Sequence, residues 1–279
     1  MIVASNDGSL PASAFELSAF AAMSCDDVDG AHVRVSRMRH MALANFLEAL
    51  RTPGRVGSQL RDIRGHLLNQ FSSSRYARAY RRVRPFTMSG DVRLRGLYDA
   101  VQIVTARGVD GVIVECGTAR GGSAALLGLA ARDSGVERSL WIFDTFEGIP
   151  PPTVADPDYD RALPFTGHFR GDIRDVTALM ERFDLAHTAQ LVKGRFEETV
   201  PTASLGPIAV LHIDGDWYQS VKVCLDHLYD QVSPGGIIQI DDYGHWKGAR
   251  KAVDEFRSGR RLDSELRYVD YTGRQFDKP

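Results

Sequence analysis

Residues 111–132, GVIVECGTARGGSAALLGLAAR, decide the fold. An apolar run, GVIVECG (111–117), breaks at a glycine turn and becomes GGSAALLGLAAR (121–132). Val and Ile favour a pleated strand, whereas Ala and Leu favour a helix. The stretch therefore reads as a buried strand, a tight turn and a helix, the opening unit of a parallel sheet. Upstream, Leu94, Leu97, Tyr98, Val101 and Val104 form an apolar helical stripe. Downstream, strands are expected at 139–145, 189–194, 207–216 and 235–243, with helices at 173–185, 218–232 and 247–257. Residues 266–274 read as a final strand or hairpin remnant. This alternation predicts an α/β fold, a doubly wound, mostly parallel sheet whose ligands bind beyond the carboxyl ends of the strands.

Those strand ends carry the chemistry. The first ends Glu115-Cys116-Gly117-Thr118-Ala119-Arg120-Gly121-Gly122-Ser123, which is not the G-x-G-x-x-G turn that cradles a pyrophosphate. A carboxylate at Glu115 would repel phosphate and suits a cation such as the ammonium of an amino acid. Asp144, ending the next strand, can accept hydrogen bonds from two ribose hydroxyls. An amino-acid end and a ribose end without a phosphate cradle point to S-adenosylmethionine. The competing reading of the glycines is tight packing of helix against strand.

The stretch LHIDGDWY (211–218) runs an apolar strand into Asp214 and Asp216, and IIQIDDYGHW (237–246) runs another into Asp241 and Asp242. On neighbouring parallel strands Asp214, Asp241 and Asp242 share one edge, where they repel one another unless a cation neutralises them. Oxygen ligands without clustered cysteines suit a hard divalent ion, magnesium first, then manganese or calcium. The plainer reading is that each acid caps the helix that follows. A cation beside a methyl donor predicts alkylation of an acceptor hydroxyl, with Asp214 as the first candidate base and Asp216, His245 and His212 as fallbacks. His212, inside the strand, reads better as a hydrogen-bonded core residue.

The whole chain sets limits. Its 279 residues, 43% hydrophobic and 25% charged with a net charge of -2, describe a globular protein without a general attraction to nucleic acid or membrane. Cys25, Cys116 and Cys224 show no zinc spacing, and a disulfide framework is not expected. No run approaches the roughly 20 apolar residues of a membrane span, and the first residues lack the form of a signal peptide, so a cytoplasmic location is expected. Residues 1 to 35 read as a loose arm or short helical cover, and Met41, Leu43, Phe46, Leu47 and Leu50 place a helix over 38–50. Between residues 51 and 84, nine arginines face one acid, Asp62. A solvated face, or pairing with acids elsewhere, explains them better than a phosphate-contacting surface. The Pro-rich segment 148–170, with Trp246, is expected to form a lid over a bulky acceptor.

Five motifs in order, VECGTARGGSA, IFDTFEGIP, VKGRFEETVP, LHIDGDWYQS and SPGGIIQIDDYGHWKGARKAVDEF, together resemble the macrocin O-methyltransferase family. These are bacterial sugar O-methyltransferases of antibiotic biosynthesis, and the resemblance spans roughly residues 85 to 275. It implies a class I, Rossmann-like methyltransferase domain over 85–279, with residues 1–84 as an N-terminal arm and helical extension that contributes to the acceptor pocket and a homo-oligomer. It implies S-adenosylmethionine as donor, a magnesium-type ion and a sugar hydroxyl on a glycosylated small molecule as acceptor. Carried over by motif, Asp214, Asp241 and Asp242 match the metal ligands, and Asp214 the base. Glu115, Gly117, Thr118, Ser123, Asp144 and Asp214 match the donor site. Thr87 and Met88 lie where an N-terminal segment closes over the donor, and Phe196 near the adenine. Asp216, Tyr243, His245 and Trp246 are the candidate acceptor contacts. Three other readings compete: the same fold acting on a catechol-like or nucleoside acceptor, a nicotinamide-dependent oxidoreductase, and a regulatory nucleotide-binding module. The missing G-x-G-x-x-G counts against the oxidoreductase, and the acidic pairs count against the module.

Overall fold

A computed structural model describes residues 54–279. The expected helix over 38–50, the arm before it, Arg51 and Cys25 lie outside the described residues.

Five strands run parallel: β1 (Val112–Cys116), β2 (Leu140–Asp144), β3 (Ala189–Lys193), β4 (Ile208–Ile213) and β5 (Val232–Ile240). The expected final strand is a hairpin, β6 (Arg267–Tyr268) and β7 (Arg274–Asp277), and β7 lies antiparallel to β5. The order is β3-β2-β1-β4-β5-β7-β6. Chain direction across the sheet reverses between β1 and β4, the topological switch point where such folds open a crevice. Both β4 and β5 stop sooner than the sequence suggests. Asp214 and Asp241 are the first residues past their strands, and each still donates one ladder hydrogen bond, to Cys116 O at 2.8 Å and to Ile213 O at 2.9 Å. The backbone of both acids is thus held by the sheet while their side chains reach its edge.

Helices cover both faces. Helices α1 (Arg55–Phe71), α2 (Arg75–Val83) and α3 (Asp91–Ala106) precede β1, and α4 (Gly122–Ser134) follows it. One-turn helices α5 (Tyr159–Ala162) and α7 (Phe196–Thr199) bracket α6 (Ile173–Arg182); α8 (Tyr218–Leu228) and α9 (Lys247–Gly259) follow β4 and β5. One buried cluster joins Tyr80, Leu97, Leu126 and Met180 from α2, α3, α4 and α6; the other joins Trp217, Leu225 and Phe256 around α8 and α9. Several of the described arginines of 51–84 bind backbone or an aromatic ring. Arg75, Arg78, Arg81 and Arg84 donate to backbone carbonyls, and Arg82 covers the Phe183 ring at 4.5 Å. Helix α1 is inverted: Ser58 and Asn69 are buried, while Leu60, Leu67, Leu68 and Phe71 are exposed. Among the described residues no helix is long and apolar enough to cross a membrane.

The glycines of the β1–α4 turn answer mainly to packing. Gly117 has φ +93°, and a Cβ there would collide with the carbonyl oxygen of Asp214. A Cβ on Gly122 would meet Phe86 O and Thr87, and one on Gly121 would crowd Val176 and Leu179. The comparison position is Gly135, at the end of α4, with φ +80° and open space around it. Ala at Gly135 pays only the left-handed strain of about 1–2 kcal/mol, whereas Gly117→Ala adds a backbone collision. Urea melts should show Gly117→Ala losing at least about 3 kcal/mol and Gly135→Ala clearly less. Equal losses would contradict the packing account.

Candidate active site

Register sets the centre of the site. Glu115 of β1 pairs with His212 of β4, and His212 with Gln239 of β5, so three polar residues stand in one row across the sheet. All three are fully buried. Glu115 Oε1 lies 2.9 Å from His212 Nδ1, and His212 Nε2 lies 3.1 Å from Asp241 Oδ1. A ring with a carboxylate on each nitrogen must donate from both, which only the imidazolium can do. Burial works against that charge, but the Asp241 and Glu115 carboxylates outweigh it and hold the His212 pKa well above its ordinary value. Arg93, from the first turn of α3, donates to Asp241 Oδ2 at 2.8 Å. Its Nε lies 3.0 Å from Asp270 Oδ2, an ion pair at a poor hydrogen-bonding angle. Gln239 adds a third donor to Asp241 at 3.2 Å. Burial would raise the Asp241 carboxyl, but Arg93 and His212 pull it below the usual carboxylate range.

The acids beside it lack such partners. Ligand atoms of His212, Asp214 and Asp241 lie within 4.8 Å of one another, as do those of Asp214, Asp216 and Asp242. Asp214 belongs to both groups, whereas Asp241 and Asp242 fall in different ones. The expected trio thus meets through Asp214, and Asp216 joins it. Burial and then the Asp241 charge push Asp242 up to about 6. Asp214 is raised well above its ordinary value by burial and by Asp241, Asp242 and Asp216. Asp216 is raised by burial and Asp242. Burial and mutual repulsion disfavour the charged forms of these acids, and a hard divalent ion held among them would offset both. The donor set, all oxygen around Asp214 with one histidine to the side, fits magnesium or manganese.

The donor side is tightly braced. Asp144 accepts backbone N–H bonds from Thr118 at 2.8 Å, Ala119 at 3.0 Å and Phe146 at 2.7 Å. Ala119 and Phe146 have positive φ, 46° and 55°, and Asp216 likewise at 55°, so non-glycine strain sits at three strand ends. Asp144 therefore shapes the turn in this structure instead of presenting both oxygens outward, and burial raises its pKa despite the amides. Glu115 Oε2 and Thr118 Oγ1 are buried without a hydrogen-bond partner. Such orphans are rare, and here they suit a ligand with a cationic donor and a polar neighbour. Ser123 is buried at the start of α4, and Thr87 lies against Gly122 beside it. Met88 is partly buried one residue further on. The ring of Phe196 packs on Gly215, between Asp214 and Asp216.

The Pro-rich segment folds onto the acidic edge. Trp217 Nε1 donates to Pro150 O at 2.6 Å, Tyr218 N donates to Asp156 at 2.7 Å, and Phe165 packs edge-on to Trp246 at 5.4 Å. Trp246, 3% exposed, anchors this segment, and its Nε1 donates to Asp216 at 3.0 Å. Arg161 lies over the Trp246 ring at 4.6 Å and donates to His245 O. His245 is pushed down to about 3 by burial, Arg161 and Arg55, and is neutral. Tyr243 commits its hydroxyl to Asp254, at 2.9 Å, on α9. Arg93, Gln239, Asp270, Trp217, Phe165 and Arg161 were not singled out from sequence. A lone arginine ahead of a helical stripe, or a glutamine within a strand, carries no local signal of its partners.

The model of the macrocin O-methyltransferase (TylF) family matches residues 64–278. The chain belongs to this family. A tetracenomycin-C rhamnosyl 4'-O-methyltransferase of Streptomyces olivaceus is 34% identical over 192 residues, 67% of this chain and 73% of that protein. The demethyldecarbamoylnovobiocin O-methyltransferase of Streptomyces niveus is 33% identical over 194 residues, with 67% and 73% covered. The solved structure of the O-methyltransferase NovP superposes with a TM-score of 0.64 at 31% identity, covering 69% of this chain and 82% of that one. The protein is therefore an O-methyltransferase of this family, and the oxidoreductase and regulatory-module readings fall.

Asp144 supplies the clearest test of the braced turn. An amide at this position presents N–H groups to amides that are themselves donors. Asp144→Asn should cost about 2 kcal/mol in chemical denaturation, and a change below the error of the melt would contradict the bracing role.

Proposed function

We propose that the protein moves the methyl group of S-adenosylmethionine to a sugar hydroxyl of a glycosylated natural product, with a divalent cation, magnesium first, at the acidic edge. The carrying observation is the convergence of Asp214, Asp216 and Asp242 beside β1, whose buried Glu115 has an orphaned oxygen. The relatives support the acceptor class, since one is named for a rhamnosyl and another for a novobiocin substrate. The inverted α1, with Leu60, Leu67, Leu68 and Phe71 exposed, supports a homo-oligomer as part of the same reading. Residues 1–84 are read as the extension that shapes the acceptor pocket, although α2 is already built into the core through Tyr76, Tyr80 and Val83.

In this reading Glu115 accepts from the donor's ammonium, and Thr87, Met88, Gly117, Thr118, Ser123, Asp144 and Phe196 line the rest of its site. Asp214, Asp241 and Asp242 would hold the cation, which lowers the pKa of a bound hydroxyl and fixes its direction. Asp214 takes the hydroxyl proton. The acceptor oxygen forms a bond to the methyl carbon as the carbon–sulfur bond breaks, and the electron pair stays on sulfur. Asp216, His245 and Trp246 face the acceptor through the lid, and Arg161 pins that lid closed. Tyr243, held by Asp254, supports this wall from behind.

The decisive assay supplies donor, magnesium and a panel of rhamnosylated or noviosylated acceptors alongside catechols, and follows the methyl mass gain. Asp214→Asn should lower turnover by at least about a hundredfold while S-adenosylhomocysteine still binds. Full activity in excess chelator would reject the cation, and methylation of catechols alone would reject the sugar.

The raised acids give a pH signature. Asp242 binds a proton more tightly folded than unfolded, so without a cation stability falls as pH rises from 3.8 towards about 6. A cation competes with that proton. Manganese should therefore raise the melting temperature more above pH of about 6 than below it; a shift independent of pH would contradict the site.

A further inference from the structure

The row Glu115–His212–Asp241–Arg93–Asp270 does something that neither the donor site nor the acidic edge requires on its own. It ties them together. His212 touches Glu115 on one side at 2.9 Å and Asp241 on the other at 3.1 Å. Side chains of Glu115, His212 and Asp241 are at most 1% exposed. No water layer separates the carboxylate assigned to the donor's ammonium from one assigned to the cation. The far end of the row is equally fixed. Asp270 Oδ1 accepts from the backbone N–H groups of Thr272 at 2.9 Å and Gly273 at 2.6 Å, so Arg93 pulls against an immobile anchor. Each member is placed by a different element: β1, β4, the end of β5, α3 and the β6–β7 hairpin.

We propose that His212 is a positioning residue that locks Glu115 and Asp241 in one mutual orientation, so that donor binding and metal binding share a single support, with Arg93 anchoring it from the α3 side. This rests on the functional reading above. His212 neither moves a proton in the reaction nor meets the substrate. It holds one Glu115 oxygen, leaves the other for the donor, and turns Asp241 toward Asp214. Loss of the imidazole frees two buried carboxylates at once, and both must find new partners. An arrangement in which His212 only fills the core would spread its loss over stability and leave both ligand sites intact.

The test uses two binding measurements that need no turnover: calorimetry with S-adenosylhomocysteine in excess chelator, and paramagnetic titration with manganese alone. The variants are His212→Gln, which can donate to only one carboxylate, and Arg93→Lys, which keeps the charge but loses the fork. Asp214→Asn serves as the reference for damage to the metal side alone. His212→Gln should weaken both manganese and S-adenosylhomocysteine by about 10-fold or more. Arg93→Lys should weaken manganese by a similar factor and S-adenosylhomocysteine less. Asp214→Asn should weaken manganese far more than S-adenosylhomocysteine. If His212→Gln does not fold, Arg93→Lys decides the proposal through the manganese titration. Both dissociation constants staying within about twofold in the folded variants, whatever happens to the melting temperature, would overturn it. Failure of the unaltered protein to bind either probe would overturn the functional reading with it.

Discussion

Two buried carboxylates, Glu115 on β1 and Asp241 just past β5, are bridged by the imidazolium of His212 on β4, the strand between them. Removing charge from water is costly, and low polarity around the groups magnifies any partner left unpaired. With His212 and Arg93 cationic and Glu115, Asp241 and Asp270 anionic, the row is balanced to within one charge. The Asp241 charge also acts on Asp214, Asp216 and Asp242, and raises the carboxyl of each. The sheet has therefore gathered carboxylates at one edge, compensated the innermost, and left the outer three competing for protons. A site built this way favours cationic ligands, a sulfonium with its ammonium on one side and a metal ion on the other.

The packing around this edge is arranged so that it cannot relax. Gly117 allows β1 to pass directly under the Asp214 carbonyl, and the ladder bonds from Asp214 and Asp241 fix the two backbones. The strained residues Ala119, Phe146 and Asp216, past the ends of β1, β2 and β4, are held by hydrogen bonds that their backbone N–H groups donate to Asp144 and Asp242. Strain that persists must be over-determined by its surroundings, and here those surroundings are themselves candidate site residues. The Pro-rich segment adds an aromatic clamp, Trp217 against Trp246 at 4.8 Å with Phe165 and Arg161 on the Trp246 ring.

Much of this was legible in the sequence, for identifiable reasons. Apolar runs ending in VECG, IFD, HID and QIDD mark the carboxyl ends of strands, and the parallel order of β1 to β5 then brings their acids to one edge. The irregular segment at 148–170 was legible because consecutive prolines interrupt the alternation. Strand ends were read too long, because the acids continue the ladder by one hydrogen bond without continuing the strand. The glycines were legible as a turn, yet their main cause at Gly117 and Gly122 is backbone against backbone, which only the third dimension shows. Arg93 and Asp270 were illegible, since an ion pair across 177 positions leaves no trace in local pattern. Asp144 was read as an outward-facing acceptor, and the structure gives it three inward-facing amides first.

The central claim is spatial: one edge of the sheet holds a cation and a methyl donor side by side. A crystal structure of the protein grown with manganese and S-adenosylhomocysteine, with anomalous data collected at the manganese edge, tests it most directly. The account predicts an anomalous peak about 2.1 Å from carboxylate oxygens of Asp214 and Asp242, with the ligand's ammonium on Glu115. A peak elsewhere, or a ligand bound with its ammonium away from Glu115, would contradict it.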